Sequence, residues 1–124
     1  MSGFGEPESA ALRLKRAEQV LRSALAPTLR QEDLGFEHGQ VLAALLQWPG
    51  LRMTELAEAA VLPAATLTRH VDKLVSRALV IRRIDPEDKR RVAVALSQRG
   101  TELAARLRDL ERATAASAAD VLAR

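Results

Sequence analysis

The amino-acid sequence predicts a mainly α-helical fold with one small β-hairpin, an α+β class. Two short amphipathic helical patterns, at about 54–60 and 63–77, are separated by a tight break at 61–63. Two β-forming segments, 80–84 and 91–96, follow with a charged turn between them. Longer helical patterns occupy both ends of the chain. Together these observations predict a winged helix-turn-helix with an additional helix on each side.

The composition limits the classes of function. A chain of 124 residues suits a single domain, 1–124. It contains no cysteine and two histidines, which excludes thiol chemistry and thiolate zinc sites. Aromatic residues make up 2%, too few to expect stacking on single-stranded nucleic acid. We find no phosphate-binding loop, no nucleophile with a base and no metal-ligand spacing, and so predict neither an enzyme nor a cofactor.

The two terminal segments have helical periodicity. From residue 8 to about 28, apolar residues recur at spacings of three and four, including Leu14, Leu21 and Leu25. Pro27 is expected to bend this helix or end it early, with a loop at 31–35. The last helix is expected over about 98–122, with a stripe of Leu103, Leu107, Leu110 and Val121. A further helix is expected at about 37–48.

The helix predicted at 63–77 has one buried face and one polar face. Leu67, Val71 and Leu74 lie on the buried face, and the other sides carry mainly polar and basic side chains, namely Thr66, Arg69, His70, Lys73 and Arg77. Such a helix can enter the DNA major groove. The alternative is an ordinary amphipathic helix with a solvated face.

Positive charge is concentrated in this part of the chain. Residues 63–91 hold eight basic and four acidic residues, whereas the rest of the chain holds 11 basic and 12 acidic ones. A basic strip on a neutral body is typical of nucleic-acid binding, although a solvated surface gives the same count. The hairpin tip carries Asp88, Lys89 and Arg90. An arginine there suits the minor groove, held by a bond to Asp88, and a turn that blunts an edge strand is the alternative.

Several separated segments resemble one family. The sequences TELA at 54–57, TLTRHVDKL at 66–74, ALVIRR at 78–83 and DKRRVAVALS at 88–97, closed by Gly100, are similar to those of MarR-type winged helix-turn-helix regulators. The resemblance extends over about 40–107. It implies a homodimeric transcription regulator, usually a repressor, that binds double-stranded DNA at a near-palindromic operator.

The resemblance also implies roles for individual residues. The helix at 63–77 would be the recognition helix, Arg90 the minor-groove arginine, Asp88 its orienting partner and Arg83 a residue near phosphate. The full set of implied DNA contacts is Pro63, Ala64, Ala65, Thr66, Thr68, Arg69, His70, Lys73, Arg83, Asp88, Lys89 and Arg90. Segments 8–34 and 98–124 would form the dimer, and 36–97 the DNA-binding core. The implied dimerisation residues are Leu14, Leu21, Leu25, Leu103, Leu107, Leu110 and Val121.

Two features depart from the family pattern. Ala78 stands where the family usually has glycine, so we expect a tighter or simply helical turn there, since alanine disfavours positive φ. Only one helix fits after the hairpin, where many relatives have two, which implies a smaller or different dimer interface.

Many relatives bind small aromatic acids between the dimerisation helices and the winged domain. By this resemblance Phe36, His38, Trp48 and Met53 could line such a pocket. The alternative is that Phe36 and Trp48 are plain core residues. His70 faces a similar choice between contacting DNA and only covering the surface of its helix.

Other functions stay open at this stage. A low-specificity architectural DNA-binding protein would have the same basic strip, and a winged-helix protein-interaction module would have the same fold. The N-terminal residues lack a secretory pattern, and the longest apolar stretch, 41–46, is far below the ~20 residues that span a bilayer. We therefore expect no membrane association and a cytoplasmic location.

Overall fold

The computed structural model describes residues 8–123. The expectations that fall on residues 1–7, and the last residue of the 98–124 segment, lie outside this range. The elements are α1 (Ala10–Gln31), α2 (Phe36–Gln47), β1 (Leu51–Arg52), α3 (Met53–Ala60), α4 (Ala64–Ser76), β2 (Val80–Ile84), β3 (Val92–Leu96) and α5 (Gln98–Ala123). The predicted fold class is confirmed, because helices dominate and a small antiparallel sheet follows the helix-turn-helix.

Helix α1 ends later than the sequence suggested. It begins after Ser9, whose hydroxyl accepts a hydrogen bond from the Leu12 amide at 3.2 Å. It then continues through Pro27 to Gln31, so the prediction of an early end is wrong. Leu25 and Leu29, on either side of the proline, are both buried. Their packing outweighs the one backbone hydrogen bond that proline cannot make.

The core lies where α2, α3 and α4 meet the sheet. Its fully covered side chains are contributed by all four parts and include Val41, Leu42, Leu45, Leu56, Leu67, Val71, Leu74 and Val94. Leu67, Val71 and Leu74 form the buried face of α4 that the sequence predicted. The polar face of α4 is thereby turned away from the core.

The sheet has three antiparallel strands in the order β1-β3-β2. The hairpin of β2 and β3 was predicted, and its register pairs Val80 with Leu96 and Ile84 with Val92. Strand β1 was not predicted, because two residues are too short to show an alternating pattern. It pairs Leu51 with Val94 and so ties the chain before α3 to the hairpin.

Helix α5 packs along α1 of the same chain, and this corrects part of the dimerisation set. Leu25, Leu103 and Leu107 are buried within the chain's own core, so they are not left for a partner to cover. Leu14 is 61% exposed, while Leu21, Leu110 and Val121 are partly covered. Within residues 8–123, α5 is the one helix that follows the hairpin, as expected.

The turn after α4 also differs from expectation. Ala78 has φ of 59°, in the left-handed region, so the turn is not helical at this residue. The Ala78 carbonyl accepts a hydrogen bond from the Ser97 hydroxyl at 2.6 Å, and the Leu79 amide donates to the Leu74 carbonyl at 3.0 Å. These bonds, with Leu79 fully buried, hold an alanine in a conformation that glycine adopts more readily.

This strain leads to a stability prediction. We expect Ala78→Gly to raise the free energy of unfolding by about 0.5–1 kcal/mol, because relief of the left-handed penalty exceeds the added entropy of the unfolded chain. Urea denaturation of both proteins measures the difference. A loss of stability in the variant would contradict the left-handed assignment of Ala78.

Candidate nucleic-acid interface

The candidate surface begins with α4, which starts after the N-cap residue Pro63. Leu67, Val71 and Leu74 anchor the helix in the core. The opposite surface exposes Pro63, Ala64, Ala65, Thr68 and Arg69, and leaves Thr66, His70 and Lys73 partly exposed. Small side chains at the N-terminal end allow close approach of another molecule, and the basic residues follow one and two turns later.

The tip of the β2–β3 hairpin holds one arginine in a defined position. Asp88 accepts hydrogen bonds from the backbone amide of Arg90 at 3.0 Å and from its Nε at 3.2 Å. The other carboxylate oxygen of Asp88 lies 3.6 Å from Nε of Arg91. The Arg90 side chain is nevertheless 92% exposed. A cation is thus directed into solvent while its backbone and guanidinium are tied to one carboxylate.

An ion pair joins the hairpin to α4. Arg82 on β2 contacts Asp72 on α4 through its guanidinium. Arg83, the next residue, is exposed, and the structure shows no salt-bridge partner for it among residues 8–123. The pair connects the two parts of the surface. Sequence reasoning missed it, because Asp72 and Arg82 are ten positions apart with a turn between them.

The corner between α1 and α2 contacts the other side of α4. Nζ of Lys73 lies 3.4 Å from a carboxylate oxygen of Asp33. His70, three residues earlier, lies beside His38 on α2, with Nδ1 of His70 3.0 Å from Nε2 of His38. The two rings form a T-shaped pair with centroids 4.4 Å apart. Lys73 and His70 are therefore held by this corner, whereas Arg69 is free of it.

His38 is buried, and burial lowers the pKa of its imidazole, with the charge that His70 carries when protonated and the charge of Lys73 acting in the same direction. Glu37 acts in the opposite direction. The native state therefore favours neutral His38, and the unfolded state, with a pKa near 6.5, binds the proton more readily.

Because the pKa of His38 is lower in the native state than in the unfolded state, the stability of the protein depends on pH. The contribution of His38 is fully present above pH ~6.5 and is lost as the pH falls, by at most about 1.4 kcal/mol per pH unit. We expect the free energy of unfolding of His38→Gln to fall less steeply between pH 7 and 5. Urea denaturation across this range measures both slopes, and equal slopes would contradict the prediction.

A cavity of about 400 Å³ lies between α1, α2 and α5. Leu25, Phe36 and Leu46 form apolar walls, and Arg108, Glu111 and Arg112 line it from α5. The guanidinium of Arg22 lies 4.4 Å from the centre of the Phe36 ring. Burial raises the pKa of Glu111. The cavity thus combines an aromatic wall with two arginines and one glutamate, so cationic side chains outnumber acidic ones, an arrangement that can hold a small flat anion.

The structure does not bring the four predicted ligand-pocket residues together. Phe36 lines the cavity, but His38 faces His70 instead. Trp48 is 48% exposed and lies at a separate shallow hollow between α2 and the end of α3. Met53 begins α3 and packs against the core. The arginines of α5 were missed, because a charged helical face does not show from sequence that a cavity lies beneath it.

Residues 8–123 contain neither a candidate metal site nor a membrane-spanning helix. No group of three or more histidine or acidic residues there could hold a metal ion. No helix among residues 8–123 is long and apolar enough to cross a membrane.

Comparison with known proteins agrees with this geometry. The model of the MarR family matches residues 37–92, which include α2 to the start of β3. The transcriptional regulator HosA of Escherichia coli O111:H- is 35% identical over 99 residues, which cover 77% of this chain and 73% of that protein. The chain belongs to the MarR family. It is therefore a member of a family of DNA-binding transcriptional regulators that act as dimers, a class that is generally not enzymatic.

Solved structures of MarR-family proteins share this fold. A mutant of MarR from E. coli complexed with operator DNA is 26% identical, with a TM-score of 0.69, covering 82% of this chain and 69% of that one. BpsR of Bordetella bronchiseptica, whose DNA binding is regulated by 6-hydroxynicotinic acid, is 24% identical with a TM-score of 0.74. That alignment covers 90% of this chain and 84% of BpsR.

Proposed function

We propose that this MarR-family chain is a homodimeric repressor that reads a near-palindromic operator through α4 and the hairpin. The observation that carries the proposal is Arg90, which is 92% exposed yet tied to Asp88 by two hydrogen bonds. An exposed arginine loses side-chain entropy when it is fixed. A fixed orientation on a thin hairpin supports a role in binding a narrow, negatively charged groove.

The exposed face of α4 is the second DNA-binding surface in this proposal. In this proposal Thr66 and Arg69 contact base edges in the major groove, and the small residues Ala64 and Ala65 allow close approach. Lys73 and Arg83 contact phosphates on either side. The Asp72–Arg82 ion pair holds helix and hairpin at one angle, so that both grooves are engaged together.

Exposed leucines on the terminal helices support the homodimer. Leu12, Leu14 and Leu122 are more than two-fifths exposed. Burial of these side chains between two copies would remove apolar surface from water. A two-fold dimer would present two α4 helices about one DNA turn apart, which matches two half-sites.

Selection of binding sites from a random duplex library, at near-physiological salt, tests the proposal. The expected result is an enriched two-fold symmetric sequence. Binding without enrichment would support an architectural DNA-binding protein instead, and no binding at moderate salt would support a protein-interaction module. Lys73→Met in the same assay is expected to weaken binding to all sequences alike, as a phosphate contact does.

The cavity supports a further part of the proposed function, in which binding of a small aromatic carboxylate releases the protein from DNA. Phe36 provides a stacking surface, and Arg108 and Arg112 provide charge for the carboxylate. The relative BpsR is regulated by a ligand of this class. Calorimetric titration with 6-hydroxynicotinic acid and benzoate tests this role. Binding that Arg112→Gln abolishes would support it, and absence of binding by either compound would count against this ligand class.

A further inference from the structure

His38 and His70 form a hydrogen-bonded chain that runs from the start of α2 to α4. The backbone N–H of Gly35 donates to Nδ1 of His38 at 2.9 Å. On the far side of the same ring, Nε2 of His38 lies 3.0 Å from Nδ1 of His70. Gly35, His38 and His70 thus form a series of two hydrogen bonds, with His38 in the middle.

The first bond determines where the protons lie. A backbone amide can only donate, so Nδ1 of His38 must be an acceptor. A neutral imidazole carries a single proton, which in His38 is therefore on Nε2. That proton is donated to Nδ1 of His70, which becomes an acceptor in turn. The proton of neutral His70 is consequently on Nε2, the nitrogen directed away from His38.

Resting on the proposed function, we infer that His38 is a positioning residue for operator recognition. It fixes His70 in the tautomer that presents Nε2–H outward, so that His70 donates a hydrogen bond to an acceptor on the DNA. The opposite tautomer would present a lone pair there. Phosphate oxygens and the N7 and O6 atoms of guanine are acceptors of the required kind.

The position of His70 agrees with this role. It is partly exposed on α4, directly after Arg69 and one turn before Lys73. Lys73 is held by Asp33 at the same corner that holds His70 through His38. Two adjacent polar side chains on this side of α4 are therefore preset by the α1–α2 corner.

Two substitutions of the same residue separate positioning from packing. In His38→Asn, the shorter amide can still accept from the Gly35 N–H but does not reach His70. In His38→Gln, the longer amide retains an N–H donor near the position of Nε2. Thermal denaturation of both variants checks that each is folded at the assay temperature. Only the His38→Asn variant is expected to lose control of the His70 tautomer.

Nitrogen-15 NMR of the histidine rings, in the absence of DNA, gives the first readout. The wild-type protein and His38→Gln are expected to show His70 with an unprotonated Nδ1 and a protonated Nε2. His38→Asn is expected to show a mixture of tautomers. A protonated Nδ1 on His70 in the neutral wild-type protein would overturn the inference.

Affinity for the selected operator gives the second readout. We expect His38→Asn to weaken binding about three- to tenfold, the effect of one hydrogen bond, and His38→Gln to bind close to wild type. In a His70→Ala background, His38→Asn should have no further effect. A loss confined to the selected sequence indicates a base acceptor, and an equal loss on scrambled DNA indicates phosphate.

The two readouts also separate this inference from the proposed function. If the wild-type protein binds its selected site and His38→Asn binds equally well, only the role of His38 is overturned. If the library yields no enriched sequence, the proposed function is wrong, and so is the role of His38 in operator binding. The His70 tautomer measured by NMR is unaffected by that result.

Discussion

Replacement of Gly100 by alanine is expected to destabilise the protein by at least about 3 kcal/mol, a large part of the 5–15 kcal/mol that holds a domain of this size folded. Gly100 is in the first turn of α5, where the helix crosses the turn between α4 and β2. A Cβ atom there would lie 2.8 Å from the carbonyl carbon of Leu79 and closer still to its oxygen. Backbone cannot move aside as the end of a side chain can.

The backbone of Leu79 is fixed by its own bonds. Its carbonyl accepts from the Ser97 amide at 3.0 Å, and its side chain is fully buried. Space for a methyl group at Gly100 therefore requires α5 to move away from the turn that positions α4 relative to the hairpin. We expect Gly100→Ala to lose operator affinity together with stability.

Gly39→Ala is the matched control, since it adds the same methyl group inside another helix. A Cβ at Gly39 would lie 3.6 Å from Cδ1 of Leu29, an ordinary contact. Alanine is also the better helix former, so this variant should gain up to about 1 kcal/mol. Urea denaturation measures the free energy of unfolding of both variants. Equal effects of the two substitutions would show that the close approach at Gly100 is not what constrains the fold.

Replacement of Arg90 by alanine is expected to weaken operator binding by about 1–3 kcal/mol, roughly 5- to 150-fold, with little change in stability. The side chain is 92% exposed, and among residues 8–123 its polar partner is Asp88, so its loss removes few contacts within the protein. Fluorescence anisotropy with the selected site measures the affinity, and thermal denaturation checks the fold.

Lys89→Ala is the control for charge, because it removes one cation from the same hairpin tip. Among residues 8–123, the structure shows no carboxylate holding Lys89, whereas Asp88 holds Arg90. If orientation in the minor groove matters, Arg90→Ala should cost clearly more than Lys89→Ala. Equal losses would mean that the tip contributes charge alone, and the minor-groove role of Arg90 would be wrong.

The sequence predicted the elements with a strong local signal. The hairpin was predicted from two local features, the alternation of Val92, Val94 and Leu96 and the charged turn before them. The spacing of Leu67, Val71 and Leu74 was enough for the orientation of α4. In both cases neighbours along the chain decide which face is buried.

The features that the sequence did not predict depend on distant contacts. Pro27 would end an isolated helix, but packing of Leu25 and Leu29 carries α1 past it. Ala78 was expected to avoid the left-handed conformation, yet hydrogen bonds from another part of the chain hold it there. Leu103 and Leu107 looked free for a partner, because the close packing of α1 on α5 cannot be read from either helix alone.

The candidate site shows the same division. Asp88 and Arg90 were identified as partners because they are only two positions apart. The His38–His70 pair joins residues 32 positions apart, and the Asp72–Arg82 pair crosses a turn. Such pairs depend on tertiary structure, so composition and spacing do not predict them.

The salt bridge between Asp33 and Lys73 has a consequence for how ions are released when DNA binds. A cation already neutralised by a carboxylate must exchange one anionic partner for another at the phosphate. Only the net change in charge pairing displaces counterions from the DNA. The number of ions released, measured by the salt dependence of affinity, should therefore fall below the number of cations facing the DNA. If Lys73 contacts phosphate as proposed, Asp33 competes with that phosphate for Lys73 and weakens non-specific attraction at this side of α4.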